Sequence, residues 1–228
     1  MSLEHTGVVA GLLAGILHTL SGPDHLAAMA PLGVARPWRR WRTGLSWGWG
    51  HALGTWTVAV VALLGRELLP LEALSAFGER LVGLVLAALG VWGLHRALRH
   101  RVHTHEHRHD RHDDVLHDHC HLHQAVGPHT ARAHRGHTHT SVGIGALHGV
   151  AGSGVFLAVL PAVVLSKVGA VAYVIAYGVG GMAAMAGFTW FISALGARAT
   201  AAPAWVYPAL LASCASFSIV MGGVWFFA

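Results

Sequence analysis

Charge is scarce in this chain of 228 residues: Asp, Glu, Lys and Arg together make up 11%, against roughly 25% in soluble domains. So thin a charge content, concentrated in a few short intervals, excludes an ordinary water-soluble globule. Cysteine is nearly absent as well. Cys120 and Cys214 are the only two, which excludes a disulfide framework and a thiolate cluster for a soft ion such as Cu(I). No basic leader precedes the first apolar run, so a cleaved signal peptide is not expected and that run is read as part of the mature protein. A nucleic-acid signature is missing too. The sequence pI near 10.0 comes from basic residues in loops beside apolar runs, where membrane orientation and anionic lipid account for them.

What remains is apolar. Hydrophobic residues make up 54% of the chain, and a helix needs about 20 of them in succession to cross a bilayer. Six spans are expected, at about 6–30, 43–65, 80–98, 141–166, 168–196 and 204–227, giving an all-α polytopic membrane protein. With six spans, Arg36, Arg39, Arg40, Arg42, the seven arginines from Arg96 to Arg135, and Arg198 share one face. Arg66, Arg80 and Lys167 share the other. The positive-inside rule makes the first face cytoplasmic and puts both termini outside.

A shift of 130 positions lays Gly15, Leu17, His18, Gly22, Ala28 and Pro31 on Gly145, Leu147, His148, Gly152, Ala158 and Pro161, and Gly48 and Gly50 on Gly178 and Gly180. The expected organisation is therefore two inverted repeats of three helices, residues 1–98 and 141–228, joined by a His-rich flexible cytoplasmic loop over 99–140. A shared small-residue packing pattern is the simpler alternative.

Ionisable residues inside the apolar runs are costly and mark function by default. The segment GILHTLSGPDHLAAMAPL holds His18, Asp24 and His25 around a Ser21-Gly22-Pro23 break. On an unbroken helix His18 and His25 would share a face but lie about 10.5 Å apart along the axis. Pro23 removes a backbone donor and disfavours helix at Gly22, so an unwound turn can bring the two imidazoles together. Gly152 and Gly154 could relax the second half in the same way, although no acid is present there. His51 and His148 lie in other spans, where a helix-to-helix hydrogen bond is the simpler reading. Met182 and Met185 could offer sulfur but more often pack. Four imidazoles with one carboxylate suit a late divalent transition metal better than Mg2+ or Ca2+.

HTLSGPDHLAAMAPL, then WGWGHALGT, then IGALHGVAGSGVFLAVLPA, resembles the UreH-type branch of the nickel/cobalt transporter superfamily. Many nickel/cobalt permeases place four residues between His and Asp-His; this chain places five, and has six expected spans rather than eight. The resemblance implies ion-selecting roles for His18, Asp24 and His25, and a metal near His51 and His148. It implies a permease for Ni2+ or Co2+ in a bacterial cytoplasmic membrane, with import favoured over efflux and metal-dependent enzyme maturation proteins as partners.

Between 99 and 140, HRVHTHEHRHDRHDDVLHDHCHLHQ and ARAHRGHTHT lack the apolar residues to offset ordering entropy, yet present many metal ligands. This loop is expected to collect, buffer or sense metal, with Cys120 as an extra ligand, while Cys214 packs. No enzymatic activity and no resident cofactor are expected; the metal ion is the cargo and lipid the surroundings. The competing readings are an efflux protein, a membrane His-box metalloenzyme, and a metal sensor or storage protein built on the loop. A His-box enzyme would hold its boxes near the membrane face with fixed spacing, which these residues do not have.

Overall fold

The computed structural model describes residues 3–35, 40–65, 71–99, 103–104, 120–121, 131–151, 158, 161–162 and 164–227. Among these, seven helices run in chain order: α1 (Leu3–Ser21), α2 (Pro23–Ala35), α3 (Arg40–Gly65), α4 (Leu71–Arg99), α5 (Ala131–Ala151), α6 (Lys167–Thr200) and α7 (Val206–Phe227). One pair of two-residue strands, β1 (His103–Thr104) and β2 (Cys120–His121), joins antiparallel in the register His103 to His121 and Thr104 to Cys120. The described residues are otherwise helical, apart from short connections.

Among the described residues, three stretches are long and apolar enough to cross a membrane: Phe77–Arg99, Lys167–Thr200 and Val206–Phe227. A fourth arises if Thr6–Ser21 and Pro23–Ala35, bent by 69°, form one broken span. Among the described residues, the expectation of six spans is therefore met by four at most. In α3, His51, Arg40, Arg42 and the tryptophans at 41, 47, 49 and 56 dilute the apolar content. The apolar part of α5, Thr140–Ala151, covers only about 18 Å at 1.5 Å per residue; Gly152 and Gly154 lie outside the described residues. Two boundaries also differ from expectation. α4 begins at Leu71 rather than near 80, and α5 begins at Ala131, inside the stretch expected as a flexible loop.

The break after α1 follows from local chemistry. Proline is favoured at the first helical position, where its missing N–H costs nothing, so a new helix starts at Pro23 with Asp24 in its first turn. The hinge stays hydrogen-bonded: Gly22 N donates to His18 O at 2.9 Å and Leu26 N to Gly22 O at 3.4 Å. The bend sends α2 inward, and Asp24, His25 and all of Ala27–Ala35 are buried. Ala27, Ala28, Met29 and Leu32 pack with Trp47, Leu86 and Met185. Val34 and Ala35 pack with Ala97, Tyr207 and Leu211. At the far end of α2, Arg96 Nη2 donates to the Ala35 carbonyl at 3.3 Å, meeting one of the carbonyls that a helix C-terminus leaves free. Outward faces are apolar instead of polar, as with Leu13, Leu17 and Leu20 on α1, Leu84 and Val91 on α4, and Val220 and Val224 on α7. Such surface belongs against lipid. The apolar helices mark a membrane protein.

Glycines set the distance between helices. α1 lies against α6, and α3 lies against both α5 and α6. A methyl group on Gly15 would overlap the Tyr177 carbonyl, and one on Gly145 would overlap the Trp47 carbonyl. Likewise Gly180 abuts the Leu12 carbonyl, and Gly50 abuts the Val142 carbonyl. These two contacts between α1 and α6 thus have counterparts between α5 and α3, displaced by 130 positions in both partners. Backbones this close can be made only with residues lacking a Cβ. Met182 fills the space beside Gly48, 2.9 Å from where a Gly48 methyl would stand, and Met185 is fully buried in the core, so both methionines pack.

Candidate metal centre

Four helices deliver the ionisable residues to one place. His18 comes from the last turn of α1, Asp24 and His25 from the first turn of α2, His51 from the middle of α3, and His148 from the last turn of α5. The bend at Gly22 brings the His18 and His25 rings to a centroid separation of 4.7 Å, edge to face. A straight helix would have kept them about 10 Å apart. The close approach of α3 and α5, with Gly149 against the His51 carbonyl, puts the His51 and His148 rings 5.9 Å apart. His25 sits between the others, 5.0 Å from the His51 ring and 4.6 Å from that of His148.

The polar contacts are specific. His25 Nδ1 lies 3.0 Å from Asp24 Oδ1, and His148 Nε2 lies 2.8 Å from Asp24 Oδ2. His25 Nε2 lies 3.1 Å from His51 Nε2. His18 Nε2 is buried with no hydrogen-bond partner, a state that costs on the order of 1–3 kcal/mol. Asp24 is only 6% exposed and is the one acid among the buried polar residues described. Two overlapping groups have the spacing to hold an ion: His18, His25 and His51, and Asp24, His25 and His148, with the ligand atoms of each group within 4.8 Å of one another.

The structure thus brings together all five residues singled out in the sequence. Gly22 proves to be a spatial requirement as well as a helix breaker. A methyl there would stand 2.5 Å from His25 Nδ1, 2.9 Å from Asp24 Oδ1 and 3.0 Å from the His18 carbonyl. Sequence reasoning missed two walls of the site. Tyr177 stacks on His18 at 5.8 Å with an interplanar angle of 27°, and the fully buried Trp47 meets His148 edge-on at 6.2 Å. The signal was present, because Trp47 and Tyr177 are 130 positions apart, the same interval that relates the two histidines they contact. Of the expected His-rich loop over 99–140, the structure describes residues 99, 103–104, 120–121 and 131–140, the last of these already helical in α5; the expected metal collection rests on composition alone.

No family model matches the chain, and no solved structure does. A stretch of 93 residues, 40% of this chain, is 44% identical to the Chloroplast protein FOR GROWTH AND FERTILITY 1 of Arabidopsis thaliana. A stretch of the same length is 42% identical to the Chloroplast protein FOR GROWTH AND FERTILITY 2 of the same plant. The matched stretch spans only about a quarter of the length of those two relatives. A longer and more distant likeness covers 186 residues at 28% identity, taking in 80% of this chain and 74% of the urease accessory protein UreH of Bacillus sp. (strain TB-90).

Proposed function

We propose that the protein is a polytopic membrane permease that moves a divalent transition-metal ion, Ni2+ or Co2+, through the cluster of His18, Asp24, His25, His51 and His148. One observation carries the reading: five ionisable residues scattered over 131 positions of sequence meet in one buried cluster between apolar helices. Buried charge and imidazole at such depth mark an ion path. The donor set of four nitrogens and a carboxylate suits a late divalent ion. The distant likeness to a urease accessory protein supports nickel, the metal of the resemblance carried by HTLSGPDHLAAMAPL.

In this reading α3 and the expected span over 141–166, which opens in α5, complete six crossings, and the two halves form inverted repeats. The paired glycine contacts at the 130-residue interval support that arrangement. A pseudo-two-fold axis that exchanges the α1–α6 contact with the α5–α3 contact leaves the cluster near its centre, as in transporters that open by rocking one repeat against the other. The protein would lie in a bacterial cytoplasmic membrane with both termini outside and the His-rich loop in the cytoplasm. The loop would take up imported ions and pass them to metal-dependent enzyme maturation proteins. Efflux is the second reading, since the same loop could feed an exporter.

Metal flux into proteoliposomes of known orientation tests the proposal, comparing Ni2+, Co2+, Zn2+ and Mn2+ with and without a proton gradient. Selective Ni2+ or Co2+ flux that disappears in the His18→Ala/His25→Ala double variant is the expected outcome. Metal-dependent catalysis without flux would replace the permease by a membrane metalloenzyme.

A further inference from the structure

We infer that Asp24 and His148 are not ligands of the transported ion but the group that orients His25, and that the ion is held by three nitrogens, from His18, His25 and His51. The inference rests on the metal reading above and divides its five residues into two sets with different work.

The division follows from hydrogen-bond capacity. An ionised carboxylate accepts and cannot donate. Both oxygens of Asp24 are engaged, Oδ1 by His25 Nδ1 at 3.0 Å and Oδ2 by His148 Nε2 at 2.8 Å. Each of those imidazole nitrogens must therefore carry the hydrogen and donate it. With its hydrogen fixed on Nδ1, neutral His25 has its lone pair on Nε2. That lone pair points away from Asp24, towards His51 Nε2 at 3.1 Å. Two nitrogens bound at about 2.0–2.1 Å to one ion stand about 3 Å apart, so the observed spacing already matches a shared ligand pair. In the ion-free protein the His51 Nε2–H donates to His25 Nε2. With the ion bound between them, His51 carries its hydrogen on Nδ1 instead.

His18 supplies the third nitrogen. Its Nε2 is buried and unpartnered, and its ring is held against His25 at 4.7 Å on one side and Tyr177 at 5.8 Å on the other. Its ligand atom falls within 4.8 Å of those of His25 and His51, so a small movement of His18 completes the group. His148 is placed differently. Its Nε2 is spent on Asp24, and Trp47 stands against its ring. Its function is to hold the second oxygen of Asp24, so that the carboxylate cannot turn and release His25. Carboxylate–histidine–metal chains of this kind fix the ligand tautomer and typically affect metal affinity by about 10–100-fold.

X-ray absorption of the full-length protein tests the division. The protein is loaded with less than one equivalent of Co2+ beside a weak chelator that outcompetes the His-rich loop for the ion. The spectrum of the wild type is expected to show three imidazoles, and those of His18→Ala and His51→Ala two each. Asp24→Asn and His148→Ala are expected to retain all three while affinity falls about 10–100-fold. His148→Gln, whose amide N–H can still donate to Asp24, is expected to recover much of that affinity, which separates orientation from misfolding. Loss of one imidazole in His148→Ala, or of an oxygen neighbour in Asp24→Asn, would overturn the division while leaving the metal site in place. An unchanged imidazole count in both His18→Ala and His51→Ala would remove the ion from the cluster altogether, overturning the site proposed for the permease as well.

Discussion

Replacing Gly22 by Ala isolates the geometry of the cluster from its chemistry, because it alters no ionisable group. The added methyl would stand 2.5 Å from His25 Nδ1 and 2.9 Å from Asp24 Oδ1. Real Cβ atoms stay beyond 3.0 Å, so His25 must retreat by about 0.5 Å, enough to stretch a 3.0 Å hydrogen bond to the edge of its useful range. A hydrogen bond to a charged partner is worth about 1.5–3 kcal/mol. At 1.4 kcal/mol per tenfold, losing it weakens ion binding by about 10–100-fold. The fold should not weaken in step, since Ala in place of Gly restricts the unfolded chain and so stabilises by about 0.4–1 kcal/mol, and the hinge remains hydrogen-bonded through His18 O and Leu26 N. Competition titration against a chromophoric chelator gives the affinity, and thermal unfolding in detergent gives the stability. Wild-type affinity in a folded Gly22→Ala protein would refute the claim that contact between Gly22, His25 and Asp24 shapes the ion site.

Asp24→Asn should reduce flux by at least about tenfold, whereas replacing any one loop histidine should leave it near wild type; equal effects in proteoliposome uptake would remove the special role of the carboxylate. Deleting residues 105–119, between the paired strands and clear of α5, should preserve flux yet remove weak metal equivalents from a calorimetric titration; loss of all flux in folded protein would place the chemistry in the loop. Gly145→Ala and Gly15→Ala, which push a methyl into the Trp47 and Tyr177 carbonyls respectively, should each cost about 1–3 kcal/mol; thermal stability equal to wild type in either would contradict the close helix contacts.

The bilayer character, the helix break and the identity of the buried ionisable residues were legible in the sequence because each depends on local composition. Pro23 cannot continue a helix normally from Gly22, and a carboxylate in an apolar run signals a site wherever the run folds. The 130-residue interval between matched residues was legible as well, since it is read by laying the chain on itself. Partnership was not legible. Nothing in the order of residues says that His25 turns Nδ1 to Asp24 and Nε2 to His51, that His148 reaches across to the other carboxylate oxygen, or that Trp47 and Tyr177 wall the cluster. Nor did it reveal that α2 would turn inward as a buried helix, or that α5 would begin ten residues early. Propensity, periodicity and proline act over one or two helical turns and so are written along the chain. Which nitrogen faces which oxygen depends on how α1, α2, α3 and α5 pack across more than a hundred residues, with bare glycines setting the distance, and only the tertiary structure decides that.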